Sequence, residues 1–314
     1  MPDRWRAQMA AEPLVLRTAI GKYPTTAGLR NGQISSNLVT LEFADLPTIN
    51  RAFAPMVREQ LFDVSELAIV TFLQARAYGK PLVLLPVVLA ARFQESALLC
   101  RADSDIRGPR DLVGRRVGIR AYSQTTGVWL RGILAEAHGV RPHDIRWITL
   151  EDAHVADYCD PPWVERASGA DLLGMLRQGE LDAIVVGNDV PNDAGLRTVF
   201  PDPKAAAEAF WREHGFVPVN HMVTVRGEIA QRRPDVIREL MRMFRASKAA
   251  VPRGPGCDPH PCECTTVQPA MRLALRYSAE QGLLPHEVDV AELWLGLPAE
   301  DCTRAGKSCQ LGLA

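Results

Sequence analysis

RRVGIRAYSQTTGVWLRGIL, residues 115–134, passes from strand to turn to helix and sets the reading of the whole chain. Val117-Gly118-Ile119 is a short β-type run. Arg120-Ala121-Tyr122-Ser123-Gln124-Thr125-Thr126 is a polar turn. Val128, Trp129, Ile133 and Leu134 then recur at helical spacing. The first turn of a helix carries unpaired N–H groups and partial positive charge, so this geometry suits an anion. Ser123, Thr125 and Thr126 can cap the helix and donate hydroxyls to a ligand, and Arg120 can grip a carboxylate with two prongs. An ordinary cap beside a solvated arginine explains the same residues equally well.

Working outward, strands alternate with helices on both sides of this stretch. On the amino-terminal side, 14–20 reads as a first strand, followed by the turn Gly21-Lys22-Tyr23-Pro24. A polar and aromatic turn past the carboxyl end of a first strand is where open α/β sheets place ligand contacts. Residues 38–43 read as a second strand and 46–59 as a helix. Residues 62–68 form a strand running into a helix, with Glu66 at the junction. There Glu66 either offsets the helix dipole or stands as a partly desolvated acid in a cleft. On the carboxyl-terminal side, 179–186 is a turn into a buried strand with Asn188 at its carboxyl end. An extended segment runs through Asn220 and His221, 234–250 is a strong helix, and 270–281 is a further one.

This order predicts an α/β chain with mostly parallel sheets. Extended crossings near 98–101 and 222–225 predict two lobes with a ligand cleft between them: 14–100 with 223–314, and 101–222. A chain of 314 residues has room for both.

Composition narrows the function. Hydrophobic residues at 47% and charged residues at 23% are those of a soluble globular protein. With a formal net charge of -1 and no basic stripe, nucleic acid is not an expected partner. No apolar run reaches the length of a membrane span, and residues 1–21 lack the apolar core of a secretion signal, so the chain reads as cytoplasmic. Seven cysteines at irregular spacing are not a disulfide framework. Cys257, His260, Cys262 and Cys264 lie close together, but their spacing fits no zinc pattern. The segment reads as a proline-stiffened surface loop, and no metal is expected. There is no dinucleotide fingerprint, no Gly-x-Ser-x-Gly elbow and no His-Glu-x-x-His.

Four segments in this order resemble the 4,5-dihydroxyphthalate decarboxylase family: FDVSELAIVTFLQARAYGKPLVLLPV (62–87), DLVGRRVGIRAYSQTTGVWLRGILAEAHGV (111–140), LRQGELDAIVVG (176–187) and FVPVNHMVTVR (216–226). The resemblance spans roughly 14–250. Its most specific parts are the acidic strand–helix junction and a Tyr-x-x-Thr-x-x-x-Trp-x-Arg-Gly-x-Leu pattern, here Tyr122, Thr125, Trp129, Arg131, Gly132 and Leu134. It implies a two-lobed fold like that of type II periplasmic binding proteins, with a small aromatic carboxylic acid in the cleft. The chain departs from the family at Arg92-Phe93-Gln94-Glu95-Ser96, where Arg and His are usual, and at Leu67, where a methionine is expected.

Cofactor-free decarboxylation of a hydroxylated aromatic acid needs an anion site, a proton donor for the ring carbon and a low-dielectric setting. Arg120 with Ser123, Thr125 and Thr126 suits the first role, with Arg92 and Asn188 as further contacts. Glu66 or His221 suits the second. Tyr23, Tyr122 and Trp129 can stack on or hydrogen-bond the ring, although core packing explains Trp129 as well. The reading is therefore a non-oxidative aromatic acid decarboxylase without cofactor, compatible with a homo-oligomer. A solute-binding protein of the same fold for a small acid is the alternative.

Overall fold

The computed structural model describes residues 12–168, 171–187, 190–252 and 257–298. In chain order the elements are β1 (Leu14–Ala19), α1 (Ala27–Arg30), β2 (Val39–Phe43), α2 (Phe53–Glu59), β3 (Val64–Ala68), α3 (Ile69–Ala77) and β4 (Leu82–Ala91). Next come β5 (Leu98–Arg101), β6 (Arg116–Ile119), α4 (Thr125–His138), β7 (Arg146–Thr149), β8 (Val164–Arg166), α5 (Leu172–Arg177), β9 (Ala183–Val185), β10 (Leu196–Thr198) and α6 (Pro203–His214). The chain continues through β11 (Val219–Arg226), α7 (Gly227–Arg232), α8 (Pro234–Ala249) and α9 (Cys264–Glu280).

The strands form two sheets, ordered β2-β1-β3-β11-β4 and β10-β5-β9-β6-β7-β8. The fold is thus two-lobed α/β. Both sheets are more mixed than the alternating pattern suggests. β1 runs parallel to β2 and β3, but β11 runs antiparallel to β3 and β4. β5 likewise opposes β9 and β10 in the second sheet. β5 and β11 enter their sheets directly from an interlobe crossing, without the crossover helix that parallel pairing requires. β5 lies wholly in the second sheet and β11 wholly in the first. The chain therefore crosses before Leu98 and before Val219, earlier than the expected crossings.

The helix expected over 46–59 begins as a short 3-10 turn at Ile49–Ala52 and becomes α-helical only at Phe53. Pro47 disfavours helical geometry at the residue before it. α9 is longer than expected, because Pro269 lies inside it rather than before it.

One apolar core runs through both lobes, joining Leu67 and Phe72 to Trp129, Leu134, Met271 and Tyr277. α3, α4 and α9 meet there. The segment after β11 is therefore shared between the lobes. A second core, with Leu16, Val64, Val225 and Leu240, lies on the far side of the first sheet. Among the described residues no helix is long and apolar enough to cross a membrane.

Candidate functional site

β1, β3 and β11 lie side by side in the first sheet, and their register brings three distant side chains together. Glu66 on β3 stands opposite Val223, and His221 stands opposite Ala68. The Glu66 side chain is fully buried. Its Oε1 accepts the Tyr23 hydroxyl at 2.7 Å and lies 2.7 Å from Nδ1 of His221. Its Oε2 accepts the Gly21 backbone N–H at 2.9 Å. An ionised carboxylate can only accept, so in this pairing Nδ1 of His221 carries the proton. Nε2 then has no hydrogen-bond partner among the described residues, and the His221 side chain keeps 16% of its surface exposed.

Tyr23 completes the arrangement. Burial first, then the charge and hydrogen bond of Glu66, hold its hydroxyl protonated well above the usual tyrosine range. The phenol therefore serves as a donor to the carboxylate. The turn is built for this contact: a Cβ on Gly21 would fall 2.6 Å from the Tyr23 ring.

Facing this from the second lobe is the start of α4. Thr125 Oγ1 accepts the Val70 N–H from the start of α3 at 3.3 Å, so the two helix N-termini meet across the lobes. Thr126 Oγ1 accepts from Arg92 at 3.1 Å. Ser123 is buried. The N-cap position belongs to Gln124, whose side chain makes no capping bond, so the hydroxyls expected to cap the helix serve other contacts. Arg120, one third exposed, lies 3.6 Å from Glu151.

Two expected ring-stacking residues are instead part of the packing. Tyr122 is buried, its hydroxyl accepts the Trp163 indole N–H at 3.0 Å, and its ring carries the Arg131 guanidinium at 3.9 Å. Trp129 is buried among Phe210, Phe216 and Tyr277 and donates to the Val219 carbonyl at 2.8 Å. Neither presents a free face to a ligand. Asn188 lies outside the described residues.

The structure adds a histidine that the sequence reading did not single out. His154 lies in the loop after β7, with Nδ1 at 2.9 Å from Thr71 Oγ1 on α3. Phe53 touches both imidazoles, with ring centroids 5.1 Å from His221 and 5.9 Å from His154. Arg58 on α2 holds this loop by donating to the Ala153 and His154 carbonyls. Burial, then the guanidiniums of Arg120 and Arg58, push the His154 imidazole down to about 4, so it is neutral near pH 7. A half-open cavity of about 220 Å³ adjoins the site at the carboxyl ends of β1 and β2. Gly21, Tyr23, Arg30, Pro47 and Ile49 are among its lining residues.

The chain is 30% identical over 224 residues to a 4,5-dihydroxyphthalate decarboxylase of Pseudomonas putida, covering 65% of this chain and 86% of that protein. The chain belongs to this decarboxylase family. A second 4,5-dihydroxyphthalate decarboxylase, from Comamonas testosteroni, is 29% identical over 256 residues and 75% of each chain. Family membership bears out the resemblance read from 62–87, 111–140, 176–187 and 216–226, and the family is named for a carboxy-lyase activity. Residues 56–160 also match the NMT1/THI5 like family.

Solved structures agree on the fold. The periplasmic aliphatic sulphonate binding protein of Escherichia coli aligns with a TM-score of 0.57 at 15% identity, covering 96% of this chain and 97% of that one. The alkanesulfonate-binding protein of Xanthomonas axonopodis pv. citri aligns at 0.59 and 16% identity, covering 90% and 98%. In this chain the two-lobed architecture carries the Glu66–His221–Tyr23 cluster.

Proposed function

We propose that this chain is a carboxy-lyase that releases carbon dioxide from a hydroxylated aromatic acid of the 4,5-dihydroxyphthalate type, bound between the lobes. The observation that carries the reading is the Glu66–His221 pair: a buried carboxylate fixes one imidazole nitrogen and leaves the other for a ligand. A positioned acid of this kind contributes typically ~10²–10⁴-fold to a proton transfer. His221 Nε2 delivers the proton to the ring carbon bearing the leaving carboxylate. Glu66 holds the ring and offsets the charge of the protonated imidazole. Arg120 is the anchor for a carboxylate on the second-lobe side, exchanging Glu151 for the substrate. The hydroxylated ring itself takes up the electron pair, so the chemistry calls for no cofactor as electron sink.

The test is carbon dioxide release from 4,5-dihydroxyphthalate by the wild type and by Glu66→Gln. Glu66→Gln is expected to bind the acid and to lose at least ~10²-fold in turnover. Binding without release by the wild type would make the chain a solute-binding protein.

A further inference from the structure

Decarboxylation of a phenolic acid moves two protons, and Glu66–His221 accounts for one. We infer that His154 handles the other, as the base for the substrate's ring hydroxyl; this rests on the decarboxylase reading. Three features place it. Its loop reaches across from the second lobe to Thr71 and Phe53 of the first, so it lies at the boundary between the lobes. The Phe53 ring packs edge-on against both His154 and His221, so the two imidazoles flank one aromatic side chain. In the tautomer in which Nδ1 donates to Thr71 Oγ1, the Nε2 lone pair is left for a ligand, and no described residue bonds to it.

The surroundings of the two histidines are opposite in sign, which is the way sites divide acid from base. His221 meets a carboxylate. His154 meets the guanidiniums of Arg120 from the second lobe and Arg58 from α2, the hydroxyl of Thr71 from α3 and the ring of Phe53. Burial, then the two neighbouring cations, disfavour the imidazolium and keep the ring neutral near pH 7.

The step balances as follows. His154 Nε2 takes the proton of a hydroxyl para to the leaving carboxylate. The O–H electron pair moves through the ring to the carbon that carries the carboxylate, and that carbon takes a proton from His221 Nε2. A dienone forms. The C–C bond to the carboxylate then breaks, carbon dioxide leaves, and the electron pair restores the aromatic ring with a phenolate oxygen. That oxygen recovers its proton from His154, and solvent reprotonates His221. One proton is consumed for each carbon dioxide released.

The experiment is a pH profile of kcat/KM for carbon dioxide release from 4,5-dihydroxyphthalate by the wild type, His154→Gln and Arg58→Gln. The wild-type rate is expected to fall on the acid side as His154 protonates, at about 4. His154→Gln is expected to lose ~10²–10⁴-fold at pH 7 and to lose that acid limb. Arg58→Gln keeps the imidazole but removes one cation, together with the bonds from Arg58 to the Ala153 and His154 carbonyls, so the acid limb should move upward. This variant decides the matter alone if His154→Gln does not fold. An active wild type whose limb and rate survive His154→Gln, or whose limb is unmoved in Arg58→Gln, overturns the base role and leaves the decarboxylase reading standing. A wild type with no release from any hydroxylated aromatic acid overturns both.

Discussion

Arg131 on α4 and Glu66 on β3 are both buried charges among aromatic rings, yet their neighbourhoods differ in kind. Arg131 donates to the Gln281 amide at 2.7 Å and to the Tyr122 carbonyl, and lies over the rings of Tyr122 and Trp147 at 3.9 and 4.9 Å. Only its Nη1 lacks a hydrogen bond among the described residues. Every neighbour is itself packed, so the cluster is closed. Glu66 is as deeply buried, but one of its partners, His221, keeps 16% of its side chain exposed and has an Nε2 without a hydrogen-bond partner among the described residues. A buried charge points to chemistry when its chain of contacts ends at a surface a ligand can reach, and to architecture when it ends in more packing.

This contrast can be broken most forcefully at its catalytic end. His221→Gln is expected to lower turnover ~10³-fold, within the range of a lost general acid, with little change in melting temperature. A fall in stability with turnover intact would reverse the contrast. Gly132→Ala probes the other end. Its Cβ would sit 2.1 Å from the Tyr277 ring, so α4 and α9 must separate. A loss of about 1–3 kcal/mol in urea unfolding is expected, with turnover per folded molecule unchanged. Arg120→Gln lies between the two regions. Calorimetry should show ligand affinity weakened about tenfold, or about 1.4 kcal/mol, with the fold intact. Tyr122→Phe removes only the acceptor of the Trp163 N–H, costing about 1 kcal/mol with no effect on turnover.

A further effect concerns pH. His154 is depressed in the folded chain from its ordinary 6.5 to about 4. The unfolded chain therefore binds the extra proton first. The stability contribution is fully present above 6.5 and is lost as the pH falls toward about 4. Melting temperatures of His154→Gln should decline less steeply across that window than those of the wild type.

The fold was legible because its signals are local. The 115–134 stretch shows its strand, turn and helix in order, and Gly139 ends α4 in the left-handed conformation a glycine favours. Glu66 and Tyr23 were legible at strand ends and His221 within an extended segment, and the structure brings the three together. The pairing of Glu66 with His221 was not, because a separation of 155 residues is bridged only by the register of β3 and β11. Packing was legible for Trp129 but not for Tyr122, because an amphipathic ring near a helix start looks the same in sequence whether it meets a ligand or an arginine. His154 was missed because residues 151–163 carry no periodic pattern, and its meaning lies in Phe53 and Thr71 on other elements. The short strand β8 went unread for the same lack of pattern. Pro269 masked the first turns of α9, since a proline usually marks a helix boundary.

The contact between Arg131 and Gln281 also bears on how the chain is made. The two residues are 150 positions apart, and Gln281 follows the last turn of α9. During synthesis the second sheet and α4 leave the ribosome long before α9 does. Until then the Arg131 guanidinium lacks its amide partner, and the groove over Gly132 lacks the Tyr277 ring. The second lobe thus completes its interior with the last α-helix among the described residues. Nascent chains stalled before residue 264 should show α4 open to protease, while chains extended past residue 298 should protect it.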